Sequence, residues 1–157
     1  MARELQIVGF RIGRETFGVP ISLVHEIVRV PEITSVPDSP GFVEGVINLR
    51  GKIISVVDLR KRFGEAITPA NRKNRILVTA VDGKLVGLIV DAASEVLKIS
   101  ENDIGPPPGV FSEDEVHYVT GVGKHQGRLI ILIDLNKILQ KGELRRLDEV
   151  SVAAVGN

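Results

Sequence analysis

Gly45-Val-Ile-Asn-Leu-Arg-Gly-Lys-Ile-Ile-Ser-Val-Val-Asp-Leu-Arg-Lys61 occurs in this chain almost twice. The second copy is Gly121-Val-Gly-Lys-His-Gln-Gly-Arg-Leu-Ile-Ile-Leu-Ile-Asp-Leu-Asn-Lys137, with seven of the 17 positions identical. Each copy reads as a strand, a glycine turn at Arg50-Gly51 or Gln126-Gly127, a second apolar strand, and an Asp-led helix. A fainter match lies upstream: Ile7/Ile76, Gly18/Gly87 and Glu26/Glu95 are identical, and Ile27-Val28-Arg29-Val30 answers Val96-Leu97-Lys98-Ile99. The first match runs at an offset of 76 residues and the second at 69, so the later copy carries a longer loop. Its expected place is Ser100–His117, where Pro106-Pro107-Pro108-Gly109 opposes regular structure.

The chain therefore reads as a degenerate duplication of a β unit of roughly 70 residues, and units that small bury apolar surface poorly alone. Two packed together are expected, and small closed barrels would remove exposed sheet edges. Gln6–Ile12, Ile76–Val81, Leu85–Val90 and Arg128–Ile133 read as strands, with turns at Gly13-Arg14 and Asp82-Gly83. Helices are expected to be short: Ser22–Val28, Asp58–Phe63, Asp134–Gln140 and Glu143–Val150. The small, uncharged tail Ser151–Asn157 is expected to fray.

Composition narrows the function. The 157 residues carry 20 Lys+Arg against 20 Asp+Glu, so no net field draws the chain to nucleic acid or to an anionic membrane. The charge is uneven, with residues 1–75 at +4 and residues 76–157 at −4. The chain contains no cysteine, which excludes disulfides and thiolate chemistry and fits a reducing compartment. The apolar stretch Leu129–Ile133 falls far short of the ~20 residues needed to span a bilayer, and the N-terminus lacks a signal-peptide run, so a cytoplasmic site is expected.

Candidate chemistry is sparse. Asp58 and Asp134 occupy matched strand-to-helix positions; a carboxylate pair is one reading, and helix N-caps are the reading that recurrence favours. His25, His117 and His125 show no local metal-ligand spacing, and neither a Gly-x-Ser-x-Gly elbow nor a phosphate loop is present. Neither a cofactor nor a metal is therefore expected. Glu113-Asp114-Glu115 reads as a solvated loop rather than a cation site. Arg60-Lys61-Arg62 and Arg72-Lys73-Arg75 read as solvated charge; against nucleic-acid binding stand the zero net charge and only six aromatic residues.

One difference between the copies is informative. Asn48-Leu49-Arg50 becomes Lys124-His125-Gln126, while the turn and the following strand persist. The fold does not demand Asn-Leu-Arg, so Arg50 invites a specific role, and a carboxylate partner if it is buried. Glu26, on the expected helix Ser22–Val28, is the candidate, and a partly buried ion pair is expected.

The run Gly45–Leu59 resembles the signature segment of the CheW family, the coupling proteins of bacterial chemotaxis. Val24-His-Glu-Ile27, Val86-Gly-Leu-Ile-Val-Asp91, Glu95-Val-Leu97, Tyr118-Val-Thr-Gly121 and Gly127-Arg-Leu-Ile-Ile-Leu132 follow in family order. The resemblance covers about residues 4 to 150 and implies one domain over 1–150, with 151–157 as a flexible tail. It implies a mainly β fold: two SH3-like five-stranded β-barrel subdomains sharing a hydrophobic core, with short helices. Both chain ends would help complete one barrel while the middle forms the other.

The resemblance also implies a non-enzymatic adaptor that links the helical cytoplasmic tip of chemoreceptors to the regulatory domain of the histidine kinase CheA. Carried over by motif, Glu26 and Arg50 would be the paired acid and base near a receptor-contacting groove. Val24, Ile27, Asn48, Ala93 and Val96 would line or flank it, and Ala93 stands where the family pattern carries a valine. Ile33 and Gly45 fall at positions associated with partner contact. An adaptor of gliding or type IV pilus motility is the neighbouring reading, and a small nucleic-acid-binding β-barrel is the rival from another class.

Overall fold

In a computed structural model, residues 3–37, 41, 43–63, 69–107, 109 and 117–139 are described. The expected helix Glu143–Val150, the tail Ser151–Asn157 and the acidic run Glu113-Asp114-Glu115 lie outside them. The elements, in chain order, are β1 (Glu4–Ile12), β2 (Glu15–Pro20), β3 (Val24–Arg29), β4 (Val43–Leu49), β5 (Lys52–Asp58) and α1 (Leu59–Arg62). There follow β6 (Arg75–Val81), β7 (Lys84–Val90), β8 (Ala92–Ser100), β9 (Ile104–Gly105), β10 (Val119–His125), β11 (Arg128–Ile133) and α2 (Leu135–Ile138).

The duplication is visible strand by strand. β4 and β10 carry the same register against β5 and β11, Gly45↔Val56 answering Gly121↔Leu132, with an irregularity just before each glycine. The turns also correspond: Arg50 and Gln126 both have φ of 50°, followed by Gly51 at 86° and Gly127 at 78°. Positive φ at both central residues gives the turn the twist of the strands it joins.

The barrels nevertheless do not follow the repeats. One sheet runs β3-β6-β7-β5-β4 and is continuous in sequence; the other runs β8-β1-β2-β11-β10-β9 and joins both ends of the chain. Each copy thus lends its first hairpin to the other copy's barrel. β2 lies parallel to β11 through Phe17↔Ile131, as β7 lies parallel to β5 through Val86↔Ser55. The terminal sheet curls on itself, since a Cβ on Gly123 of β10, next to one edge, would sit 3.3 Å from Ile99 of β8, at the other. In the central sheet Thr34 exchanges two 2.9 Å backbone hydrogen bonds with Val46. The two-residue strand β9 plays that part in the terminal barrel, pairing with Val122 and Gly123. It is a sixth strand in a stretch that reads as loop.

Because both faces of most strands are covered, the apolar runs are nearly continuous rather than alternating. Ile47, Ile54, Val56, Ile76, Val78 and Ile89 fill the central barrel, and Ile7, Leu97, Ile99, Ile130 and Leu132 fill the terminal one. Their neighbours face the other way: Val8, Phe10, Val19, Val57, Leu77, Leu88, Ile131 and Ile133 belong to one large cluster drawn from both barrels. This is the shared core. Along it Phe10, Phe17, Phe63 and Tyr118 stack with centroids 6.0, 4.9 and 5.1 Å apart.

One expected helix is a strand. Ile21–Leu23 forms a single 3-10 turn, and Val24–Arg29 is β3, paired with β6. Burial alternates residue by residue along it, and the β-branched Val24, Ile27 and Val28 suit a half-buried strand better than a helix. The two Asp-led helices do form, each a single turn.

Candidate functional site

At one end of the central barrel the β4–β5 turn faces β3. Asn48 Oδ1 accepts from Gly51 N at 2.9 Å and braces the turn. That turn aims Arg50 across the barrel end, where its Nη2 donates to Glu26 Oε1 at 2.5 Å. Glu26 follows a register irregularity in β3, between Val24 and Glu26. The pair flanks a cleft of about 340 Å³ whose wall includes the apolar Leu49, Ile54, Val78 and Leu85, with His25 and Lys52 adding basic groups. Ile54 and Val78 are buried beneath its open surface, which is more polar than apolar, so the site is a charged cleft on an apolar floor.

The pair is shallower than a partly buried pair. The Arg50 side chain is 72% exposed and that of Glu26 28%, so the bond lies in high dielectric and contributes at most about 1 kcal/mol to folding. The pair holds Arg50 over the cleft while adding little to stability.

The remaining residues implied by the resemblance divide by position. Val24 and Ala93 correspond under the 69-residue offset, and both pack, half-buried, against the shared core. Ile27 and Val96 also correspond, one on each barrel, and both are exposed, at 39% and 48%. Ile33 lines a separate cleft of about 520 Å³ with Val30, Pro31 and Ile89. Gly45 is buried with φ of 150°, and a Cβ there would fall 2.2 Å from Thr34 O. No side chain fits at Gly45, which lies directly against the Thr34–Val46 bridge. Only Glu26 and Arg50 of this set share a cleft wall, and Asn48 acts on them through the turn.

Asp58 and Asp134 are helix N-caps in geometry: each accepts from the backbone N–H two residues on, at 3.0 Å. Asp58 does more. Arg60, read from sequence as solvated charge, is 6% exposed. It grips Asp58 through Nε and Nη2, both at 2.9 Å, and reaches Asp91 Oδ1 through Nη1 at 3.1 Å. The hydrogen bond to Asp58 raises the Arg60 pKa above the ordinary arginine value, although burial acts in the opposite direction. Sequence reading missed this cluster because Arg60 sits inside a basic run whose neighbours are more exposed. The available signal was Asn136, which stands at the matching place in the second copy. Lys61 pairs with Glu44, and Arg62 Nε donates to Ile138 O of α2 at 2.9 Å.

Among the described residues, no three His, Asp or Glu side chains converge as metal ligands would, and no helix is long and apolar enough to cross a membrane.

Comparison with known proteins agrees with this architecture. The CheW-like domain family matches residues 6–143. The chain is 36% identical over 138 residues to a chemotaxis protein CheW of Rhizobium meliloti, covering 88% of this chain and 89% of that one. It is 35% identical over 137 residues to the corresponding protein of Helicobacter pylori, covering 87% and 82%. A crystal structure of a scaffolding protein CheW from Thermoanaerobacter tengcongensis superposes with a TM-score of 0.78 at 41% identity, covering 88% of this chain and 94% of that one. Interwoven barrels, a shared core and near-complete coverage at these identities place this chain in the CheW-like domain family.

Proposed function

We infer that the chain is a non-enzymatic adaptor of bacterial chemotaxis, working in the cytoplasm, that couples chemoreceptors to a CheA-type histidine kinase. The observation that carries this reading is the Arg50–Glu26 pair set over a cleft with an apolar floor, on a domain whose relatives are named chemotaxis and scaffolding proteins. A cleft edged by opposite charges suits the polar margin of an amphipathic helix, and a receptor tip is helical. The exposed Ile27 and Val96, at equivalent places on the two barrels, would meet the helix's apolar face, and the half-buried Val24 and Ala93 pack against the shared core. The kinase regulatory domain, itself of this fold, would meet a different face, where Ile33 and the Gly45-supported bridge lie.

Contacts of this kind can stay at or below about 1,200 Å² and gain strength from multivalent arrays. The test is co-sedimentation with receptor-bearing vesicles and a CheA-type kinase. The kinase is expected to pellet with receptors only when this protein is present. Kinase left in the supernatant under all conditions would end the reading.

A further inference from the structure

Asp91 stands at the crossover between the barrels, after β7 and before β8, and divides its carboxylate between them. Oδ1 accepts from Arg60 Nη1 of the central barrel at 3.1 Å, and Oδ2 accepts from the Gly13 N–H, in the β1–β2 turn of the terminal barrel, at 2.7 Å. Its backbone is divided likewise: Asp91 N donates to Arg11 O at 3.0 Å, and Asp91 O accepts from Asn74 Nδ2 at 3.1 Å. One residue therefore joins four points on two subdomains.

The duplication supplies an internal control. Under the offsets of 76 and 69 residues, Arg60 corresponds to Asn136, Asp91 to Ser22 and Gly13 to Asp82. The helix cap survives at Asp134 without an arginine, so capping does not explain Arg60. Cation and anion are absent together from the other seam, where Asn136 and Ser22 stand, so the ionic tie exists at one of two equivalent seams. A buried ion pair is no better for stability than well-packed apolar groups, whereas its fixed geometry can specify one arrangement over others.

We propose that Arg60 and Asp91 form a one-sided clamp that sets the angle between the barrels, and with it the spacing of the helix-binding surface. Arg60 is then a positioning residue, acting through Asp91 rather than touching the receptor. The binding part of the proposal rests on the adaptor reading; the angular part does not. Ile27 lies on the central barrel and Val96 on the terminal one, so a helix that touches both is sensitive to that angle. If loosening leaves about a tenth of the molecules at the right angle, apparent affinity falls about tenfold.

Because the chain has no cysteine, Glu15→Cys and Arg29→Cys, exposed sites on the terminal and central barrels, can be spin-labelled cleanly. Pulsed dipolar spectroscopy on the full chain without any partner then reads the angle. Arg60→Asn and Asp91→Ser, which copy the other seam, are each expected to broaden or shift the distance distribution while circular dichroism stays native. Asp91→Asn keeps the size of the side chain and serves if the first two variants do not fold. In the unlabelled chain the same variants are expected to bind a receptor cytoplasmic fragment about tenfold more weakly. A distribution unchanged in a folded variant overturns the clamp. Altered distances with unaltered fragment binding overturn its link to the receptor, and a wild-type chain that binds no fragment counts against the adaptor reading alone.

Discussion

Asp58 and Asp134 accept a backbone hydrogen bond at the same 3.0 Å, at the same step of two repeated helices, yet only Asp58 also holds a buried arginine. Two chemically identical substitutions should therefore differ sharply. Asp134→Asn keeps a good cap and is expected to cost a few tenths of a kcal/mol. Asp58→Asn leaves Arg60 half-compensated in the interior and is expected to cost about 3–5 kcal/mol. Urea unfolding of the two variants measures the gap; near-equal midpoints would contradict the buried pair.

The two ion pairs should also respond differently to solution conditions. The exposed Glu26–Arg50 contact is screened, so its influence on partner binding is expected to fade as salt rises over a few tenths molar. The Arg60 cluster is sheltered. Folding raises the Arg60 pKa, so its contribution is fully present below the ordinary arginine range and is lost only as pH climbs through the raised value. Between about pH 6 and about pH 10 the Arg60 part of the stability profile is expected to stay flat. Thermal melts across that range check it.

Gly45 and Gly51 both have positive φ, but their surroundings differ. A Cβ at Gly45 meets the Thr34 carbonyl, whereas nothing lies within 4 Å of one at Gly51. Gly51→Ala is expected to cost about 1 kcal/mol through the backbone alone. Gly45→Ala must also displace the backbone at Thr34 and is expected to cost about 2–4 kcal/mol, with loss of the Thr34–Val46 hydrogen bonds. Hydrogen exchange at the amides of residues 34 and 46 reads this directly.

Much of this was legible in the sequence because the two copies share not only residues but the physics those residues impose. Gly45 and Gly121 mark the same bulge, Arg50-Gly51 and Gln126-Gly127 the same turn, and Asp58 and Asp134 the same cap. What stayed hidden depends on distant neighbours. Val24–Arg29 reads as a helix until β6 is placed beside it, and Arg60 reads as solvated until Asp91 arrives from the crossover. The exchange of hairpins between copies is likewise invisible to a repeat, since each hairpin satisfies the same pairing pattern in either barrel.

Phe63 carries a further consequence. It lies between Phe17 and Tyr118 in the aromatic stack that joins α1 to the terminal barrel. Phe63→Ala removes contacts on both sides of a half-buried ring and is expected to cost about 2–3 kcal/mol. Tyr118 is the only tyrosine and the chain has no tryptophan, so its fluorescence should change in the folded variant.

The most direct measurement compares Arg50→Ala with Gln126→Ala by calorimetric titration of a receptor cytoplasmic fragment and, separately, of a kinase regulatory domain. Both positions have φ of 50° in matching turns, so the backbone cost of alanine cancels and only the side chains differ. Loss of receptor affinity in the Arg50 variant alone, with kinase affinity intact in both, is the expected result. Identical receptor affinities for the two variants would contradict the assignment of the Arg50–Glu26 cleft.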